Sequence, residues 1–142
     1  MHINDHFDGG NIDVQSAESP SDIRLKIRFD EGGLHGQWFF FQLCDVRGEA
    51  CTITIENAGD TSYPKGFENY GVVTSIDLEH WFRVETDFDG QKLSWRYTPD
   101  SDSVFFAYFA PYSFGRHQRL IGRAMASPGV SAEVLCSTPD GH

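Results

Sequence analysis

Arg116, Arg119 and Arg123 recur at i, i+3 and i+7, with His117 beside the first of them. On a helix that spacing sets the three guanidinium groups on one face. Guanidinium forks bind carboxylates in bidentate fashion, so the chemistry offered is capture of an acidic peptide or of a C-terminal carboxylate. The competing reading is a solvated helix face whose arginines pair with the chain's own surplus of acids. That surplus is large: 21 Asp and Glu against 11 Lys and Arg, for a formal net charge of −10.

Other residue types that could do chemistry are scattered. The six histidines are His2, His6, His35, His80, His117 and His142, and none begins an H-x-x-E or H-E-x-x-H pattern. A hydrolytic zinc site needs His and Glu ligands placed together and a base for the water. The chain therefore carries no such site of its own, and neither catalytic nor metal-binding residues are expected in it. His2 and His6, with Asp5 and Asp8, either hold a metal loosely or belong to a mobile polar N-terminus. There is no G-x-S-x-G motif, and Gly9-Gly10 and Gly32-Gly33 lack the strand and helix that frame a dinucleotide loop. They read as turns.

The elements that must position these residues are mostly strands. Ile23, Leu25, Ile27 and Phe29 alternate with Arg24, Lys26 and Arg28, and Cys51-Thr52-Ile53-Thr54-Ile55 repeats the pattern. Period-2 alternation of this kind is that of half-buried strands. Asp89-Gly90 between the runs 83–88 and 91–97 predicts a two-residue type I′ hairpin. In that register Phe88 pairs with Gln91, Thr86 with Leu93, Val84 with Trp95 and Phe82 with Tyr97, and Asp87 meets Lys92. Two runs, Trp38 to Leu43 and Val104 to Phe109, are apolar on both faces. One face fills a two-sheet core. The other needs a cover: a loop or the late helix of the same chain, or a partner domain. Ser113 is the expected N-cap of a helix from Phe114 to about Ala126, with Leu120, Ile121 and Ala124 as its apolar stripe. Val130 to Cys136 reads as a further strand, and Thr138 to His142 as a turn. The fold class is all-β: an antiparallel two-sheet β-sandwich with one C-terminal helix and a trailing strand. Residues 1–112 form the sandwich domain and residues 113–142 a second piece.

Bulk properties narrow the function. An acidic chain does not suit nucleic acid, whose phosphates reward clustered Lys and Arg. No apolar run approaches the ~20 residues of a membrane span. The N-terminus lacks the charged and apolar regions of a signal peptide. Cys44, Cys51 and Cys136 are odd in number with no C-x-x-C spacing, which suits free thiols in a reducing, cytoplasmic setting.

The segment Phe105-Phe106-Ala107-Tyr108-Phe109-Ala110-Pro111-Tyr112-Ser113-Phe114-Gly115-Arg116-His117 resembles the junction between the N-terminal and catalytic domains of the cytosolic zinc carboxypeptidases. Phe7 to Ile12, Trp38 to Phe41, Trp81-Phe82-Arg83, and Asn57, Tyr63, Pro64 and Gly66 resemble further pieces of that domain, in the same order. The resemblance implies a non-catalytic accessory sandwich that supports folding of the catalytic domain and shapes substrate access. It also implies that residues 113–142 are the opening elements of that catalytic domain. The parent enzyme would be a zinc-dependent hydrolase that removes C-terminal residues, acidic ones among them, from peptide or protein tails. Zinc and its ligands would lie in the catalytic domain, so none is carried onto this sequence. Trp38, Phe40, Phe105 and Phe109 then become the expected docking face, and Arg116, His117, Arg119 and Arg123 the expected anionic contacts. The alternatives are a carbohydrate- or protein-binding sandwich module, which would use Trp38, Trp81 or Trp95, and a self-associating structural domain.

Overall fold

A computed structural model describes residues 1–139. The chain divides into two compact units, Met1–Pro111 and Tyr112–His142.

The first unit is built from ten strands: β1 (His2–Asn4), β2 (Asp13–Ser19), β3 (Asp22–Lys26), β4 (Phe40–Cys44), β5 (Cys51–Ile55), β6 (Val73–Ser75), β7 (Phe82–Arg83), β8 (Thr86–Phe88), β9 (Leu93–Tyr97) and β10 (Ser103–Ala107). They form two five-stranded sheets, in the orders β1-β4-β10-β6-β7 and β2-β3-β5-β9-β8. Alternation decides what lies between the sheets. Ile23, Leu25, Ile53, Ile55, Leu93 and Trp95 of the second sheet meet Phe41, Leu43, Val104 and Phe106 of the first, all buried. Trp95 stacks toward Phe39 at 6.3 Å and lies 5.5 Å from Phe106.

The sandwich is not wholly antiparallel. β3 and β5 pair in parallel, Ile23 opposite Ile53 and Leu25 opposite Ile55. Between them the chain crosses to the first sheet as β4 and returns, so it arrives running the same way. Asn57 extends that ladder beyond β5. Its side-chain amide accepts from Ile27 N–H and donates to Ile27 C=O, both at 2.9 Å, in a buried position.

The hairpin forms with a different register. Phe88 pairs with Leu93 and Thr86 with Trp95, two residues on from the expected pairing. The central residues are Gly90 and Gln91, and of these Gly90 alone takes a positive φ, +95°. That is the glycine-first requirement of a type II′ turn. Asp89 selects it: its Oδ1 accepts from the N–H groups of Gln91 at 2.8 Å and Lys92 at 2.6 Å. Asp87 consequently faces Ser94 and not Lys92. The first arm also splits. Phe82 and Arg83 pair with β6 in the opposite sheet, so Phe82 and Val84 take no part in the hairpin ladder.

The second unit holds α1 (Phe114–Met125). Ser113 caps it as expected, its Oγ accepting from Arg116 N–H at 3.3 Å. The expected strand over 130–136 does not form. Those residues pair with no strand among the described residues, and Val134 and Leu135 are exposed. The turn expected at 138–142 falls mostly outside the described residues. No described helix is long and apolar enough to cross a membrane.

Candidate functional site

The outward face of the first sheet carries the aromatic residues that period-2 alternation assigns to it. Trp38 lies 6.0 Å from Phe40 and 4.9 Å from Phe109, and Phe40 lies 6.2 Å from Phe105. The four expected docking residues therefore form one cluster, but they are not equally open. Phe40 is 3% exposed, Trp38 and Phe105 are half-buried, and Phe109 is 54% exposed.

Two loops of the same chain account for the difference. From one side Phe7 reaches over the sheet, its ring 4.8 Å from Phe40 and 5.9 Å from Phe105. Its loop is anchored by Asp5, whose carboxylate takes Arg28 Nη2 at 2.6 Å and Ile12 N–H at 3.3 Å. Gly10 closes the loop so tightly that an added Cβ would stand 1.9 Å from the Asp5 carbonyl oxygen. From the other side Trp81 approaches Phe40 at 6.0 Å, edge-on, with its indole N–H donated to the Leu78 carbonyl. The cover is thus partly the loop that the doubly apolar strands demanded. Phe40 belongs to an internal minor core and is closed to a partner, contrary to the expectation that it helps form a docking face.

What stays open is the flank at Trp38 and Phe109. Gln37 ties it to the loop at residues 62–66, accepting from Tyr63 N–H at 2.9 Å and donating to Tyr63 C=O at 3.2 Å. Tyr63 itself is exposed. Sequence reasoning did not single out Phe7, Tyr63 or Trp81 as part of this face. Each sits on a loop, where no periodicity assigns a side.

Arg116, His117, Arg119 and Arg123 all lie exposed on α1. The Arg116 guanidinium stands over the Tyr112 ring at 5.4 Å, and the His117 ring is 6.2 Å from the same tyrosine. Within the first unit Arg24 pairs with Asp22 at 2.9 Å, Arg28 with Asp5, and Arg47 with Asp102 at 3.0 Å.

Of the N-terminal histidines, His2 lies in a strand and His6 just after it. His2 opens β1 against β4, with Nδ1 3.2 Å from Asp45 Oδ2, and His6 lies 3.5 Å from Asp5. No group of three His, Cys, Asp or Glu among the described residues could hold a metal ion. The three cysteines are free thiols, and Cys44 and Cys51 lie on opposite sheets, not across a hairpin. Burial pushes both of their thiols above the ordinary range. Trp95 is enclosed between the sheets, which withdraws it from any sugar-stacking role.

Comparison with known proteins agrees with this architecture. Residues 3–109 match the family model described as the cytosolic carboxypeptidase N-terminal domain. An uncharacterised protein of Zymomonas mobilis is 40% identical over the whole chain, which spans 37% of that relative's length. Among solved structures, a metallo-carboxypeptidase from Burkholderia cenocepacia superposes with a TM-score of 0.95 at 43% identity, over 99% of this chain and 37% of its own. A metallo-carboxypeptidase from Pseudomonas aeruginosa, in complex with (2-guanidinoethylmercapto)succinic acid, gives 0.94 at 38% identity, over all of this chain and 38% of its own.

Proposed function

The chain belongs to the cytosolic carboxypeptidase N-terminal domain family, and from that premise we propose that it is the non-catalytic accessory domain of a larger cytoplasmic zinc metallocarboxypeptidase. The observation that carries this reading is one of proportion: the whole chain accounts for little more than a third of the metallo-carboxypeptidases it superposes on. The fold family implies zinc, but the described residues do not fit it, because no three donor side chains converge. Metal and hydrolysis are assigned to the part of the polypeptide that follows this domain, and no chemical step is assigned to these residues.

The domain's work is then mechanical and electrostatic. The open flank at Trp38, Phe109 and Tyr63 docks the catalytic domain, with the half-buried Phe105 beside it and Phe40 serving the cluster from within. Inter-domain surfaces of this kind bury roughly 600–1,500 Å². Docking supports the folding of the catalytic domain and shapes access to its active site. Residues from Tyr112 onward are the opening elements of that domain, so the exposed apolar residues of α1 pack within it. Arg116, Arg119 and Arg123, with His117, all exposed on α1, meet the carboxylates of peptide or protein C-terminal tails. Nucleic acid and membrane are not partners on this reading.

Zinc content and cleavage of peptides ending in glutamate test it, for this chain and for the chain extended through its natural reading frame. We expect metal and activity in the extended protein alone, at about one zinc per chain as catalytic sites of the class require. An extended protein that neither binds zinc nor cleaves would remove the reading.

A further inference from the structure

We propose that the loop joining β6 to β7 is a pH-sensitive clasp that holds Trp81 over Phe40. The loop is assembled around two side chains. Ser75 Oγ accepts from the N–H groups of Asp77 at 3.2 Å and Leu78 at 2.9 Å, and donates to Asp77 Oδ1 at 3.1 Å. The same Oδ1 accepts from the N–H groups of Glu79 and His80, each at 2.8 Å. The other carboxylate oxygen, Oδ2, meets His80 Nδ1 at 2.7 Å and closes the ring. This scaffold keeps Leu78 in the left-handed region at φ +64°, a conformation that costs a branched residue of order 1 kcal/mol or more. That conformation in turn presents the Leu78 carbonyl to the Trp81 indole N–H at 3.1 Å. The chain of dependence runs from His80 through Asp77 and Leu78 to Trp81 and Phe40. The proposal stands on this chain's own loop, independently of any docking of a catalytic domain.

Of these groups His80 is the one that titrates near neutrality. Its ring is 87% exposed, so solvent protons reach it. The hydrogen bond to Asp77, then the Asp77 charge, raises its pKa above the ordinary histidine value, and Glu79 acts in the same sense. The neighbouring aromatic side chains Phe40 and Phe105 bring no charge. Asp77 is held well below the usual carboxylate range, first by its bond from the His80 side chain and then by the His80 and Glu79 backbone N–H groups. The signs follow. A raised histidine contributes fully below its unfolded pKa, and the contribution is lost as pH rises through the folded value. A lowered carboxylate contributes above its unfolded pKa, and its share is lost only at strongly acid pH. The clasp is therefore tight at mildly acid pH, below the ordinary histidine value, and loosens as pH rises through the raised His80 value.

The Trp81 indole N–H, identified by the NMR signal that vanishes in Trp81→Phe, reads the clasp directly. Its hydrogen-exchange rate, divided by that of free indole at each pH, should rise between pH 6 and 9. The rise should reach up to about tenfold for each unit by which the folded His80 pKa exceeds its unfolded value. His80→Gln, which keeps a donor but does not titrate, should give a flat ratio. The His80 Cε1–H signal should titrate above ~6.5, the ordinary histidine value. A midpoint at or below that value overturns the proposal whatever the variant does. So does a Trp81 ratio that is flat in the parent chain, or one that rises equally in His80→Gln.

Discussion

Phe109→Ser and Phe40→Ser should separate docking from core packing, because the two rings lie on one face and differ in exposure. Phe109 is 54% exposed. A buried phenylalanine removes roughly 150–250 Å² from water, so about 100 Å² of Phe109 remains to be covered by a partner. At roughly 25 cal/mol per Å² that cover contributes about 2.5 kcal/mol. Within this chain the rest of the ring, about 90 Å², is already buried, worth about 2 kcal/mol. Its contacts with Trp38 at 4.9 Å and Tyr108 at 5.6 Å add about 1 kcal/mol. Phe109→Ser should then cost the isolated chain about 3 kcal/mol and the same domain within the extended protein about 5.5 kcal/mol, a difference of about 2.5 kcal/mol that docking alone supplies. Phe40, at 3% exposure, already has its cover in Phe7 and Trp81. Its loss should cost about 3–5 kcal/mol in both proteins alike, the ordinary range for emptying a phenylalanine site. Native-state hydrogen exchange of the β4 and β10 amides measures both losses within the domain, whatever the rest of the polypeptide does. Equal losses for Phe109→Ser in the two proteins would refute the docking flank. A Phe40→Ser loss confined to the extended protein would refute the assignment of Phe40 to an internal core.

Asn57→Ala strips partners from both the N–H and the C=O of Ile27. At about 1–3 kcal/mol for each buried group left unpaired, we expect a loss of about 2–5 kcal/mol by urea unfolding of this chain; a loss under about 1 kcal/mol would mean that water replaces the amide. Gly10→Ala drives a Cβ into the Asp5 carbonyl. The loop must give way, at about 1–3 kcal/mol, and Phe7 should lose its contact with Phe40, visible as faster exchange at the Asn11 and Phe40 amides that pair across it. Replacing Arg116, Arg119 and Arg123 together by Ala should leave the melting temperature of this chain nearly unchanged, since all three are exposed. In the extended protein the same change should raise KM for acidic peptides more than for neutral ones, with a weaker dependence on salt; an equal effect on both substrates would dismiss the anionic role.

The parts of this molecule that were legible in its sequence are those that depend on near neighbours. Alternation in Ile23 to Ile27 and Cys51 to Ile55 assigned the inward faces correctly, and the Ser113 cap fixed the start of α1. The hairpin shows where such reasoning stops. Asp89-Gly90 and Gly90-Gln91 are both two-residue turns on the same chain, and only the Asp89 carboxylate's grip on two N–H groups decides between them. The shift moves the register by two residues, so every apolar side chain keeps its face and the binary pattern cannot register the change. The splitting of 82–88 between sheets was hidden for the same reason, since a strand that crosses from one sheet to the other still alternates.

The candidate site was half legible for a related cause. Trp38, Phe40, Phe105 and Phe109 were assignable to one face because β4 and β10 pair antiparallel, Gln42 opposite Phe105 and Phe40 opposite Ala107. Continued by two residues, that register sets Trp38 against Phe109, and the two rings do meet. Exposure is another matter, because it depends on loops that close over the face from positions more than thirty residues from Phe40 in either direction along the chain. Phe7 and Trp81 convert the middle of a docking face into core and leave one flank open. A doubly apolar strand therefore proves only that both its faces are covered; which residues cover them follows from the loops. Here the loops cover Phe40 and stop short of Phe109, and that uncovered edge gives the accessory-domain reading its physical content.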